Sequence, residues 1–154
     1  MAIIDTDFLS SFLKIKRLPL IFEALNINAL IIPGAVLHEL EKAPFYKEVF
    51  ELIQLKEIIV KNVEEANFSE ELGIGETECF SLAQQTGDLL LTNDQRAIKY
   101  AELRGIIVSD ISTFLFYCKK NSFVSQKEMR NIINLLKEKD YYVFSEEVKE
   151  ELLK

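Results

Sequence analysis

Short apolar segments alternate with longer amphipathic segments along this chain. The apolar segments are rich in isoleucine, leucine and valine, whereas the amphipathic segments repeat their apolar residues at helical spacing. The pattern predicts strands at residues 2–5, 29–32, 58–60, 89–92 and 106–108. It predicts helices after the first strand, before residue 25, after Pro33, and at residues 45–55, 76–85, 95–104, 126–139 and 146–153.

The order of these elements predicts an α/β fold. Strands that are apolar throughout and alternate with helices are typical of a parallel sheet covered by helices on both faces. Neither a repeat nor a linker interrupts the pattern, which indicates a single domain over residues 1–154. In such sheets, functional sites gather beyond the carboxyl ends of the strands, near the point where the strand order reverses.

Two acidic residues stand at the head of apolar helix faces. Glu76 precedes apolar residues three, four and seven positions further on, and Asp94 repeats that arrangement. The spacing predicts that both carboxylates face inward near the end of the sheet. Helix N-capping is the alternative, and it is stronger for Asp94 because aspartate is a favoured N-cap. Glu78 is predicted to point the other way, into solvent.

Two further acids are candidates from their positions. Asp5 ends the first predicted strand and therefore lies at the carboxyl edge of the sheet, and Thr6 or Asp7 is predicted to cap the following helix. Glu39 and Glu41 flank opposite sides of the apolar face of the helix after Pro33. Periodicity does not choose between these two glutamates, and a solvated helix flank is the alternative for either.

Carboxylates that converge at strand ends predict a site for a hard divalent cation. Two unit charges about 4 Å apart repel by roughly 4 kcal/mol at an effective dielectric near 20, so such a cluster takes up protons or a cation. Ligation by oxygen alone suits Mg²⁺ or Mn²⁺. An ion held in this way activates water and neutralises charge on a phosphodiester.

The composition excludes several other kinds of catalytic site. His38 is the single histidine, which excludes a ribonuclease built on a pair of histidines. Cys79 and Cys118 lack the spacing of metal ligands, and we expect both to be buried free thiols. The formal net charge of −7 argues against a passive nucleic-acid binder, unless bound cations offset the acids.

The apolar segments are too short to span a bilayer. The first residues also lack the basic start of a signal peptide. We therefore expect a cytoplasmic protein without a membrane partner.

The order and context of the acids resemble the signatures of PIN-domain nucleases. Ile-Ile-Asp-Thr-Asp-Phe-Leu at residues 3–9 and Pro-Gly-Ala-Val-Leu-His-Glu-Leu at 33–40 resemble the first two signatures. Gly-Ile-Gly-Glu-Thr-Glu at residues 73–78 and Leu-Leu-Thr-Asn-Asp at 90–94 resemble the third and fourth. The likeness is greatest to prokaryotic PIN proteins related to VapC-type toxins.

The resemblance implies a three-layer α/β/α sandwich over a core of about residues 2–120, with residues 121–154 as a helical extension. The apolar residues of that extension suit either core packing or a dimer surface. The resemblance also implies a Mg²⁺- or Mn²⁺-dependent endoribonuclease with an RNA substrate, a homodimer and, in the toxin branch, an antitoxin partner.

Carried over by position, four acids are implied as the catalytic metal ligands: Asp5, Glu39, Glu76 and Asp94. The resemblance thus selects Glu39 over Glu41. Thr6, Thr92 and Asn93 match supporting positions. Many relatives have an acid where this chain has Asn93, which weakens the case for a second metal. Asp110 is a candidate substitute for that acid, but capping of the following helix is the preferred interpretation, with the metal-site role as the alternative.

Two other functions compete with a nuclease. Asp5-Thr6-Asp7 after a strand resembles the nucleophile motif of haloacid-dehalogenase-like phosphatases, but the lysine and the acidic pair of that class have no match here. A PIN-like interaction module without catalytic activity would suit the acidic balance. Candidates for RNA phosphate contacts, each of which also fits a solvated helix face, are Lys14, Arg17, Arg96 and Lys99.

Overall fold

A computed structural model describes residues 1–64 and 72–154. Five strands appear in these residues: β1 (Ala2–Ile4), β2 (Leu30–Pro33), β3 (Ile58–Lys61), β4 (Leu89–Leu91) and β5 (Val108–Ser109). They form one sheet in the order β3-β2-β1-β4-β5, and every neighbouring pair is parallel. The predicted α/β fold with a parallel sheet is confirmed.

Helices connect the strands and follow the last one. They are α1 (Thr6–Lys14), α2 (Leu18–Leu25), α3 (Gly34–Leu40), α4 (Tyr46–Gln54), α5 (Ile74–Thr86), α6 (Gln95–Leu103), α7 (Ile111–Lys120), α8 (Gln126–Asp140) and α9 (Glu146–Leu153). β1 and β2 are buried along their whole length, as the central strands of a sheet covered on both faces must be. The fold is therefore an α/β/α sandwich.

The strand order reverses beside β1. The chain adds β2 and β3 on one side of β1 and then returns to place β4 on the other side. Ile4, the last residue of β1, pairs with Leu91, the last residue of β4. The carboxyl ends of these two strands therefore lie side by side at the switch point, where open α/β sheets bind their ligands.

The C-terminal extension packs onto the sandwich. Ile132 and Leu136 of α8 are fully buried, and the Arg17 guanidinium after α1 pairs with the Glu128 carboxylate at 3.1 Å. Lys14 of α1 pairs with Asp140 at 2.9 Å. Core packing is therefore what the apolar residues of α8 do in this chain.

Where the sequence predicts the bounds of an element, the observed element follows them within one or two residues, except at the last strand, and α7 is a helix for which no bounds were predicted. The sequence predicts a core strand at residues 106–108, but Ile107 is 66% exposed and the strand is Val108–Ser109. The Ile106 amide still donates to the Ala101 carbonyl at 3.0 Å. Because this bond belongs to the end of α6, the strand begins later in the sequence than predicted. Gly105, at φ 69°, makes the left-handed turn that ends this helix.

In the described residues, every helix is too short or too polar to cross a membrane.

Candidate metal-binding active site

Asp5 lies at the centre of the switch point. It follows β1, is 7% exposed and uses both carboxylate oxygens. Oδ1 accepts from the Phe8 amide at 2.9 Å, and Oδ2 accepts from the hydroxyl of Thr92, which follows β4. Asp5 is thus the N-cap of α1, and the prediction that Thr6 or Asp7 caps this helix is wrong. The cap needs an extended backbone, which Asp5 has at the end of the strand.

Burial makes ionised Asp5 unfavourable without a bound cation. Loss of hydration raises the pKa of this carboxyl from 3.8 to about 7, and the nearby charges of Asp7 and Glu76 add to the rise. The hydrogen bonds from Thr92 and Phe8 oppose the rise without cancelling it. The site therefore holds a carboxyl that gains from either a proton or a positive ion.

Glu39 reaches the same site from α3. The Thr6 hydroxyl donates to Glu39 Oε2 at 2.5 Å, which orients the carboxylate towards the start of α1. A Cβ atom at Gly75 would lie 2.9 Å from Glu39 Oε1, so any larger residue at this position would displace the end of the Glu39 side chain. Glu41 is exposed at the C-cap of α3. The geometry thus favours Glu39 over Glu41 at the site.

Glu76 and Asp94 meet at the start of their helices. Glu76 Oε2 accepts from the Gly73 amide at 2.6 Å, and Asp94 Oδ1 accepts from the amides of Arg96 at 2.9 Å and Ala97 at 3.1 Å. Both residues therefore satisfy helix N-termini, as the capping alternative predicted. Burial, followed by the charge of Asp94, raises the pKa of Glu76, and the hydrogen bond from the Gly73 amide opposes this rise.

A cavity of about 80 Å³ joins these groups. Its lining contains three of the four predicted acids, and Asp94 contacts one of them, Glu76. The residues that line it are Asp5, Thr6, Asp7, Val36, Glu39, Gly73, Gly75 and Glu76. The structure therefore brings all four predicted acids together at the switch point.

Sequence reasoning missed two members of the cavity. Asp7 was interpreted as a helix cap, but it is exposed and adds a fifth carboxylate to the site. Its position two residues after Asp5, across the strand-to-helix boundary, is the signal that could have identified it. Gly75 has a steric role that no sequence pattern reveals, because the constraint comes from Glu39 on another helix.

The donor set fits a hard divalent cation. None of the ion pairs within residues 1–64 and 72–154 involves any of the four predicted acids, although the charge of Arg96 acts on Glu76 from a greater distance. In that same part of the chain, no three potential ligands yet surround one point closely enough to hold an ion. Hydrogen bonds from Thr6, Thr92 and the Gly73 amide orient three of these carboxylates. Carboxylate oxygens are the kind of ligand that Mg²⁺ or Mn²⁺ takes.

Glu78 corrects one prediction. It is half-buried rather than solvated, and its Oε2 accepts from the Ala35 amide at 2.7 Å. The carboxylate therefore binds the first turn of α3, where unpaired amides favour a negative charge. This contact ties α5 to α3 and helps to place Glu39 and Glu76 against each other.

The predicted supporting residues divide into two kinds. Thr6 and Thr92 donate directly to the acids. Asn93 instead accepts from the Ile111 amide at 3.3 Å and from the Tyr142 hydroxyl at 3.4 Å, so its carbonyl serves the scaffold. Asp110 caps α7 through the Thr113 amide, which supports the preferred interpretation of this residue as a helix cap.

The predicted phosphate contacts also divide. Lys14 and Arg17 are already paired with Asp140 and Glu128. Arg96 and Lys99 are exposed on α6, and Arg96 lies near enough to Glu76 to lower its pKa slightly against the other effects. Of these four predicted contacts, only Arg96 and Lys99 form no ion pair with another described residue.

The two cysteines are buried free thiols, as predicted. Cys79 lies beside the site, but burial raises its pKa well above the ordinary range, and the charge of Asp5 adds to this. A thiol in that state is neither a nucleophile nor a metal ligand.

Comparison with known proteins agrees with this fold. No curated protein matches the chain significantly. A PilT N-terminus domain protein from the hyperthermophilic archaeon Sulfolobus solfataricus P2 superimposes with a TM-score of 0.52 and 18% sequence identity, over 74% of this chain and 90% of that one. A sequence model of the family DUF3368, described as a PIN domain, matches residues 1–154. The chain belongs to the PIN-domain family.

Proposed function

We propose that this protein is a divalent-metal-dependent endoribonuclease. The observation that carries the proposal is the meeting of Asp5, Glu39, Glu76 and Asp94 at the switch point, where none of them forms an ion pair among the described residues. PIN domains are generally nucleases and usually use divalent metal ions. The family membership therefore supports the same chemistry that the donor set favours.

The residues of the site divide into metal ligands and supporting groups in the proposed reaction. Asp5, Glu39, Glu76 and Asp94 would hold Mg²⁺ or Mn²⁺, which supplies water activation and charge neutralisation at a phosphodiester. Thr92 keeps Asp5 oriented, and Thr6 does the same for Glu39. Asp7 also lines the cavity and would accept a proton from the attacking water. Arg96, which is exposed and acts on Glu76 through its charge, would contact an RNA phosphate.

Two alternatives make different predictions. A PIN-like interaction module would keep the fold and bind partners without cleaving RNA, and the net charge of −7 is the observation that favours it. Membership of the PIN-domain family favours a nuclease over a haloacid-dehalogenase-like phosphatase. A homodimer and an antitoxin partner stay predictions, which native mass spectrometry of the protein purified from its own host would test.

The decisive experiment compares Glu39→Gln with Glu41→Gln. Both variants lie at the end of α3, but only Glu39 lines the cavity. We expect the first to lose at least about a hundredfold in single-turnover RNA cleavage with Mn²⁺, since it removes a carboxylate from the cluster, and the second to cleave normally. Calorimetric titration of Mn²⁺ without RNA should show the same difference.

Two results would contradict the proposal. Cleavage that persists in EDTA would exclude metal dependence. An absence of cleavage by the wild-type protein, with Mn²⁺ bound and single-stranded RNA supplied, would favour the interaction module.

A further inference from the structure

A second cavity opens beside the acidic site. Its volume is about 280 Å³, and it shares Asp7 with the first cavity and Asp94 with the acidic cluster. We call it the polar cleft, and its lining residues are Asp7, Ser10, Ser11, Lys14, Asn93, Asp94, Asp140 and Tyr142. The cleft therefore adjoins the place where a scissile phosphate would lie.

The C-terminal extension builds one wall of the polar cleft. Asp140, at the end of α8, accepts from the Ser11 hydroxyl at 2.5 Å and pairs with Lys14 at 2.9 Å. The Tyr142 hydroxyl donates to Asn93 Oδ1 after β4. The Tyr142 ring packs edge-on against the Phe144 ring, with 5.0 Å between the ring centroids. These contacts fix the wall against α1 and the end of β4.

The charges of the polar cleft select the kind of group that fits it. Asp140 neutralises Lys14, while Asp7 and Asp94 leave the lining acidic, which disfavours a phosphate. The Ser10 hydroxyl has no hydrogen-bond partner within the part of the chain that the structure describes. The cleft therefore suits a neutral group with several donors, such as a nucleobase edge or the hydroxyls of a ribose.

Tyr141 stands at the rim with its ring in solvent. It lies between the cleft residues Asp140 and Tyr142 and is 89% exposed. Its backbone is left-handed, with φ 53°, because it ends α8, and the next amide returns to the Leu136 carbonyl at 3.0 Å. The helix end thus holds an aromatic ring outward beside a polar cavity, as in proteins that stack single-stranded bases.

We propose that the polar cleft and Tyr141 form a nucleotide subsite for single-stranded RNA. The nucleotide next to the cleaved phosphate places its ribose and base edge in the cleft, and the following base stacks on Tyr141. This inference rests on the proposed nuclease function, because it takes the acidic site as the position of the scissile phosphate. It gives the extension a role in substrate positioning as well as in core packing.

The test measures binding and cleavage separately. Binding uses a fluorescein-labelled twelve-nucleotide oligoadenylate and Asp5→Asn protein, in which the proposed reaction is disabled and the polar cleft is intact. In that background we expect Tyr141→Ala to weaken binding by about tenfold, through the loss of one stacked base, and Tyr141→Phe to restore it. Ser10→Phe, which fills the cleft, should weaken binding, whereas Ser10→Ala should have little effect.

Matched controls separate this role from folding. Leu103→Ala removes another exposed apolar side chain, on α6, and should leave RNA affinity unchanged. In otherwise wild-type protein, Tyr141→Ala and Ser10→Phe should raise the KM for RNA more than they lower kcat, and should leave calorimetric Mn²⁺ affinity unchanged. A purely structural role for Tyr141 would move none of the RNA readouts.

The outcomes distinguish the two proposals. Unchanged RNA binding and cleavage in both Tyr141→Ala and Ser10→Phe would overturn the subsite and leave the nuclease intact. RNA binding that depends on Tyr141, without cleavage by the wild-type protein, would support the subsite and overturn the nuclease.

Discussion

At the scale of single residues, Asp5 is a buried carboxyl group whose ionised form is destabilised by the fold. A carboxyl group that is 7% exposed, caps α1 and accepts from Thr92 has its pKa raised to about 7, mainly by burial. A residue that served only as a helix cap would gain from exposure to water instead. A bound cation would offset the cost of burying this charge.

The buried charge of Asp5 predicts that replacing this residue by asparagine stabilises the protein at high pH. The pKa of Asp5 is higher in the folded chain than the unfolded value of 3.8, so the protonated carboxyl stabilises the folded chain at low pH. As the pH rises through 7, the free energy of unfolding falls by up to about 4 kcal/mol. Asp5→Asn keeps the acceptor for the Phe8 amide and removes the charge. We expect the variant to be more stable than wild type at pH 8 in EDTA, with little difference at pH 4.

Urea unfolding at the two pH values measures this difference. Asp110→Asn, which changes another N-cap aspartate outside the cavity, is the control and should show no comparable gain at pH 8. A loss of stability in Asp5→Asn at pH 8 would contradict the inference that the buried charge is costly.

At the scale of elements, the site depends on how closely α3 and α5 approach each other. Glu78 of α5 binds the Ala35 amide of α3, and the missing side chain at Gly75 leaves room for Glu39. These contacts join helices that are far apart in sequence. Periodicity within either helix does not reveal them. It therefore predicts a solvated Glu78 and gives no signal for the role of Gly75.

Gly75→Ala tests the approach of the two helices. The added Cβ would lie 2.9 Å from Glu39 Oε1, at the flexible end of that side chain, so Glu39 must rotate away. We expect Mn²⁺ affinity to fall by about tenfold while stability changes by less than about 1 kcal/mol, since alanine is a better helix former than glycine. Calorimetry and urea unfolding measure the two effects.

Gln84→Ala, on the exposed side of α5, is the matched control for both measurements. Equal Mn²⁺ affinity in Gly75→Ala and wild type would mean that Glu39 does not contact the ion.

At the scale of the whole molecule, the negative net charge and the acidic site have the same effect on an RNA substrate. The formal net charge of −7 would repel RNA, and the unpaired acids at the switch point concentrate that repulsion where a substrate must approach. A divalent cation would reverse the local sign of charge. Metal occupancy should therefore control both RNA access and the stability of the folded chain.

Metal binding should consequently depend on pH. Since the pKa of Asp5 is about 7, a proton competes with the cation below that pH, and we expect Mn²⁺ affinity to rise by about tenfold from pH 6 to pH 8. Calorimetry in two buffers of different ionisation enthalpy would also detect the released proton. Equal affinities at pH 6 and pH 8 would show that Asp5 is not a ligand.

The sequence by itself determined the elements and the family. Apolar strands of three or four residues and helical periodicity are local properties, so they indicate the parallel sheet and place Asp5 and Asp94 near strand ends. The order of the acidic motifs was enough to suggest a PIN domain. Only the tertiary structure decided that Asp5 is the N-cap of α1, that Asp7 joins the cavity and that the C-terminal extension walls a second one. Burial, steric room and contacts between distant segments arise when the layers pack, and no local pattern encodes them.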